Sequence, residues 1–148
     1  MRIALIFFLL TFFLTNHAFA ENNYFLMLKN KKVNVRYRPD LNSPIKYIYK
    51  KKFLPVKVID KKENFRRIID FKNNNGWIHS SQLSKIKSFI LLEDKTLFSK
   101  PTKYSKPILI ISKGRLLLVK KCKAKWCKVK TKKYTGWLEV KNVWGNIN

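Results

Sequence analysis

The residues of this chain able to do chemistry are few, and their spacing narrows what that chemistry is. Cys122 and Cys127 lie five positions apart. Two thiolates alone do not make a zinc site, and beyond residue 20 the single histidine is His79. In an oxidising compartment the pair reads as a disulfide. If residues 119–122 and 126–129 are adjacent antiparallel strands, the two cysteines flank the connecting turn and face each other, as a bond requires. The alternative is a pair of reduced, partly buried thiols. His79 is followed by Ser80 and Ser81, but no acid is placed to orient the imidazole and no nucleophile turn is present. With no paired carboxylates on one expected surface and no metal cluster, the expectation is a protein that is not an enzyme and takes no cofactor.

Charge supplies the other chemistry. The 148 residues carry 33 Lys and Arg against 8 Asp and Glu, a formal charge of +25. Such a surface attracts polyanions, among them acidic lipid, nucleic acid and anionic wall polymer. Lys outnumbers Arg 27 to 6. Bidentate reading of bases and phosphates prefers Arg, so sequence-specific nucleic-acid recognition is not expected. The abundance of Lys, Asn and Ile and the scarcity of Gly and Ala also match the drift of an AT-rich genome. The runs Lys50-Lys51-Lys52, Lys61-Lys62 and Lys120-Lys121 fall at expected turns, where they are solvated.

The elements that position these groups are short strands. Residues 1–20 form an address: Arg2, an apolar run from 3 to 14 broken by Thr11, and Ala18-Phe19-Ala20 as a small-x-small cleavage site. The run is shorter than the roughly 20 residues a bilayer span needs. Cleavage near Ala20 is expected to deliver residues 21–148 to the periplasm or outside the cell, with a charge of +24 after the loss of Arg2. An uncleaved anchor is the alternative.

Beyond the address the chain repeats itself. Phe65-Arg66-Arg67-Ile68, a polar turn and Gly76-Trp77-Ile78 return as Trp126-Cys127-Lys128-Val129, a polar turn and Gly136-Trp137-Leu138. Residues 89–92 match 25–28, Leu97 to Pro101 falls where Val35 to Pro39 falls, and residues 117–119 align with 56–58. Alternation of period two marks strands at 24–28, 33–37, 45–49, 54–60, 65–70 and 76–78. Turn signals come every few residues, and residues 80–83 fit one 3₁₀ turn. No amphipathic helix is expected after residue 20. The expectation is an all-β chain of two small barrels, residues 21–84 and 85–148. Each is near the lower size limit for independent folding, so the two are expected to pack together.

Val33-Asn34-Val35-Arg36, Pro39, Val56-x-Val58, an aromatic strand and Gly76-Trp77-Ile78 together resemble the bacterial SH3 domain. The finer resemblance is to a tandem, exported SH3-like family of Gram-negative bacteria. Its marks here are Leu54-Pro55-Val56, Phe65-Arg66-Arg67-Ile68, Gly76-Trp77-Ile78-His79, Cys122, Trp126-Cys127, Gly136-Trp137-Leu138 and Trp144-Gly145. The second unit lacks the Asn-Val-Arg box.

The resemblance implies tandem SH3-like barrels that bind rather than catalyse, with peptidoglycan, its stem peptides or an envelope protein as partner. An acidic lipid surface is the alternative, on charge. Tyr37, Tyr47 and Tyr49 flank the Pro-containing loop that matches the long first loop of SH3 folds, where aromatic-lined grooves take extended peptides. They are candidate ligand residues. Arg36 either meets an anionic or peptide ligand or holds the loop, through backbone carbonyls or through Asp40 or Asp70. Trp77 and Trp137 either form a binding face or cap the two cores. Phe65 and Trp126, which start alternating strands, are expected in the core.

Overall fold

The computed structural model describes residues 23–145, so the expected signal segment lies outside the described residues. Among these described residues, fourteen strands form two seven-stranded sheets. In the first unit they are β1 (Tyr24–Leu28), β2 (Val33–Arg36), β3 (Ile45–Tyr49), β4 (Pro55–Lys62), β5 (Phe65–Ile69), β6 (Asn75–His79) and β7 (Leu83–Ser84). In the second they are β8 (Ser88–Leu91), β9 (Lys95–Phe98), β10 (Pro107–Ile111), β11 (Leu116–Lys123), β12 (Trp126–Lys130), β13 (Thr135–Glu139) and β14 (Val143–Gly145). The strand order is β3-β2-β6-β5-β4-β1-β7 in one sheet and β10-β9-β13-β12-β11-β8-β14 in the other. Adding seven to each label of the first gives the second, so the repeat in sequence is a repeat in topology.

The irregularities repeat as well. The β4–β5 ladder shifts register between Val58 and Asp60, and β11–β12 shifts between Val119 and Lys121. The β2–β3 and β9–β10 ladders also shift at matching places. Each bulge inserts one unpaired residue and tightens the bend that curls a small sheet. The β4–β5 and β11–β12 turns open on Glu63 and Ala124, both with positive φ, as a two-residue hairpin requires. Sequence patterning alone ends the fourth strand near Asp60, but cross-strand pairing carries it to Lys62 opposite Phe65.

Each sheet closes over its own core. Leu28, Val33, Val35, Val56, Ile68 and Ile78 form the centre of the first. Phe89, Leu91, Leu97, Cys127, Val129 and Leu138 form the centre of the second. The units also share a seam. Ile90 of β8 is buried in the first core, with Leu116 and Trp144 packed on it. Trp144 meets the Phe25 ring edge-on at 5.2 Å, and its Nε1–H donates to the Pro55 carbonyl at 3.1 Å. The buried Ser88 hydroxyl donates to the Phe53 carbonyl at 2.6 Å. Apolar area and satisfied polar groups therefore join the units, as two domains of this size need.

Cys122 and Cys127 are direct cross-strand partners and are bonded, with Cα atoms 4.1 Å apart. The bond staples the β11–β12 hairpin at the two-residue turn.

Candidate functional site

Directly opposed residues of an antiparallel ladder share a face, and neighbours along a strand alternate. The registers therefore define one row of side chains across the outer surface of the first unit. It runs Arg36 on β2, Trp77 on β6, Arg67 on β5 and Asp60 on β4. The same row in the second unit reads Phe98, Trp137, Lys128 and Lys121. Lys121 Nζ lies 5.7 Å from the centre of the Trp137 ring. Both tryptophans are half-buried and neither belongs to a core, because their strand neighbours, Gly76 and Ile78 or Gly136 and Leu138, face inward. Of the two readings of Trp77 and Trp137, the core cap is thus corrected: both stand on an outer face.

The Gly-Trp pair has a steric cause. A Cβ at Gly76 would overlap the Val35 side chain and lie 3.1 Å from the Arg36 carbonyl. One at Gly136 would lie 2.7 Å from the Phe98 carbonyl. The glycine lets β2, or β9, cross close to β6, or β13, and this close crossing sets the tryptophan opposite Arg36 or Phe98.

Phe65 and Trp126 are buried, as expected of them, but on this same outer side. Each stands three residues before its inward β-branched partner, Ile68 or Val129, and an odd offset reverses the face. Phe65 meets the His79 ring edge-on at 5.2 Å, and Trp126 meets Phe98 at 5.8 Å. His79 Nδ1 pairs with the Ser81 hydroxyl at 2.8 Å and caps the 3₁₀ turn Ser80–Gln82.

Arg36 holds the long loop. Its guanidinium donates to the Ser43 carbonyl at 2.6 Å, and neither Asp40 nor Asp70 is its partner. Ser43 is fully buried and accepts from the Arg38 N–H at 3.0 Å. Tyr37, at the start of this loop, is 60% exposed, with Lys46 Nζ 5.7 Å from its ring centre.

Tyr47 and Tyr49 sit elsewhere. They oppose Val35 and Val33, whose side chains are fully buried, so the tyrosine rings share the inward face and pack on the first core. Their rings meet edge-on at 5.2 Å with hydroxyls 3.4 Å apart. The Tyr49 hydroxyl donates to Asp70 at 3.0 Å. Asp70 is 3% exposed and also accepts from the backbone N–H groups of Lys72 and Asn74 and from the Asn74 side-chain amide. Burial pushes both phenols above their ordinary range, Tyr49 the more strongly because Tyr47 and Asp70 add to it. The structure thus brings Arg36 to Trp77 and Tyr47 to Tyr49, but leaves Tyr37 on the loop. Sequence pattern alone does not single out Arg67, the cross-strand neighbour of Trp77 on β5. Strand alternation alone places Arg66 and Arg67 on opposite faces, but only the β5–β6 register shows which one is opposite Trp77.

The acidic side chains are largely occupied. Asp40, Asp60 and Asp94 each accept a backbone N–H, Glu93 pairs with Lys95, and Glu139 pairs with Lys125 at 3.0 Å. Among the described residues, most surface cations therefore face solvent without a carboxylate partner.

The family model for the bacterial SH3 domain matches the chain twice, at residues 29–85 and 94–145. The chain belongs to the bacterial SH3 domain family and carries two copies in tandem. No curated protein matches it. Among solved structures it is similar to NlpC2 from Trichomonas vaginalis, at 14% identity over 83% of this chain and 48% of that one, with a TM-score of 0.38. NlpC1 from the same organism is similar at 12% identity over 83% and 46%, also at 0.38. The chain thus spans about half the length of these two proteins, and likeness at that score carries no argument about activity.

Proposed function

We propose that this protein is a non-catalytic, exported binding module of the cell envelope that holds peptidoglycan, its stem peptides or an envelope protein. The observation that carries the reading is the pair of equivalent outer rows, in which a half-buried tryptophan stands between cross-strand neighbours, Arg36 and Arg67 or Phe98 and Lys128. A half-buried ring with Arg67 or Lys128 beside it on the neighbouring strand offers area, a polar N–H and charge to a peptide or amino-sugar polymer. In the first unit Trp77 and Tyr37 supply the contact surface and Arg36 shapes the loop between them. Tyr47 and Tyr49 support that loop from inside through β3. The boundary between the modules is taken at residues 84 and 85, between β7 and β8. The disulfide agrees with an oxidising compartment.

The formal charge of +25 and its largely unpartnered cations favour a second reading, an adaptor for acidic lipid or another polyanion. Salt separates the two. The protein would be sedimented with purified sacculi and, separately, with phosphatidylglycerol vesicles from low to high salt. Retention on sacculi that survives high salt and falls in Trp77→Ala supports the wall-binding reading. Retention lost in salt on both materials supports the polyanion reading. Absence of retention on sacculi at any salt contradicts wall binding and moves the search to envelope proteins.

A further inference from the structure

The second unit has an open cavity where the first is filled. It has a volume of about 490 Å³ and is lined by three short segments: residues 109–112, residues 115–117 and the β12–β13 turn at 131–134. The registers show which residues of the first unit correspond. Leu109 opposes Leu97 as Tyr47 opposes Val35, and Ile111 opposes Lys95 as Tyr49 opposes Val33. Arg115 gives its carbonyl to Leu91 N–H as Leu54 does to Leu28 N–H. Thr131 follows β12 as Asp70 follows β5. The first unit thus fills this place with two tyrosine rings, buried Leu54 and the packed Phe71, with the Tyr49 hydroxyl held by Asp70. The second unit has shorter aliphatic side chains there, an exposed arginine, and a turn one residue shorter.

Two features of the cavity identify an occupant. First, its lining includes the consecutive residues 109–112. Side chains alternate along a strand, so consecutive residues can border one space only where the space meets the edge of the backbone. Among the described residues β10 is an edge strand, bonded to β9 alone, and Ile110 on it is 69% exposed. Such an edge, apolar and unblunted, is a template for another strand. A lipid has no backbone to pair with it. Second, the rim carries Arg115, Lys132 and Lys133 and no carboxylate. The nearby Asp94 carboxylate is already engaged by the Lys113 N–H at 2.7 Å.

We infer that the β10 edge of the second unit is a docking site for an extended, acidic polypeptide segment. The segment adds a strand to β10, places aliphatic side chains against Leu109 and Leu117, and sets its carboxylates against Arg115, Lys132 and Lys133. The inference deepens the binding-module reading, on which it rests, by naming a protein-type partner for the second unit.

The test uses the whole protein, labelled with ¹⁵N, and an acetylated ten-residue peptide of alternating Val and Glu. The Val–Lys peptide is the control. Saturable amide shifts are expected at residues 108–112, 115–117 and 131–134, with slowed hydrogen exchange in β10 and none of this at 45–49. A Lys132→Glu/Lys133→Glu variant, altered at exposed turn positions, should keep its spectrum and bind the peptide about tenfold more weakly. Ile110→Lys should weaken it too. Four results overturn the inference: no saturable shifts, equal response to the Val–Lys peptide, the same shifts from anionic lipid vesicles, or the same shifts from self-association without peptide. Sacculus sedimentation of the double variant keeps the two claims apart. Loss of peptide binding with retained sacculus binding defines a separate site, whereas loss of sacculus binding alone in Trp77→Ala concerns the other face.

Discussion

The two units share strand order, bulges and turns, yet the corner between the third strand, the fourth and the fifth–sixth turn is built in two ways. In the first unit Tyr47, Tyr49 and Phe71 fill it and Asp70 gathers the polar groups. In the second, Leu109, Ile111 and Thr131 leave it open beside Arg115, Lys132 and Lys133. One fold therefore carries one corner made for rigidity and one made for access. The contrast also shows that a buried polar group is tolerated when several donors converge on it. Asp70 has four, whereas Thr131 makes a simpler turn with Tyr134, accepting its N–H at 2.9 Å.

The comparison can be broken most forcefully at Asp70. Asp70→Ala strands the Tyr49 hydroxyl and the turn N–H groups, and should lower stability by about 3 kcal/mol. Thr131→Ala should cost less than about 1 kcal/mol. Urea unfolding, with probes in each unit, reads both. Reducing the Cys122–Cys127 bond should cost about 2 kcal/mol, the chain-entropy value for so small a loop, and the loss should appear in the second unit's transition.

A finer contrast lies in Tyr49→Phe, which should cost about 1 kcal/mol. This variant also carries a pH signature. Burial raises the Tyr49 phenol above its ordinary 10.0, so the folded state holds the proton where the unfolded chain releases it. The stabilisation is complete below pH 10.0 and is lost as pH rises beyond it. The first unit should weaken in alkali, and Tyr49→Phe should flatten that slope. The smallest effect is expected at Ile110→Lys without ligand. The residue is largely exposed, so stability should change by less than about 0.5 kcal/mol, as thermal unfolding would show.

Much of this architecture was legible in the chain. Alternation marked the strands because each sheet has one buried face, and the repeated Gly-Trp pair revealed the duplication. The Cys pair could be placed across a hairpin because two residues of turn fix the register. What escaped was non-local. The direction in which Trp77 points depends on its pairing with Arg36, forty-one positions away. The inward placement of Tyr47 and Tyr49 depends on their pairing with Val35 and Val33. The open corner of the second unit was present in the sequence as Leu109 and Ile111, but Pro44 stands one place after Ser43 and Pro107 two places after Ser105, so matching the prolines sets Ile110 rather than Leu109 against Tyr47.

The difference between the two corners can be tested with one anionic, apolar probe, 8-anilinonaphthalene-1-sulfonate, titrated into the ¹³C-methyl-labelled protein. Contacts from the naphthalene ring confined to Leu109, Ile111 and Leu117, with Val33, Val35 and Val56 unaffected, are the predicted result. Contacts at the first unit's valines, or none at the second unit's aliphatics, would contradict the account.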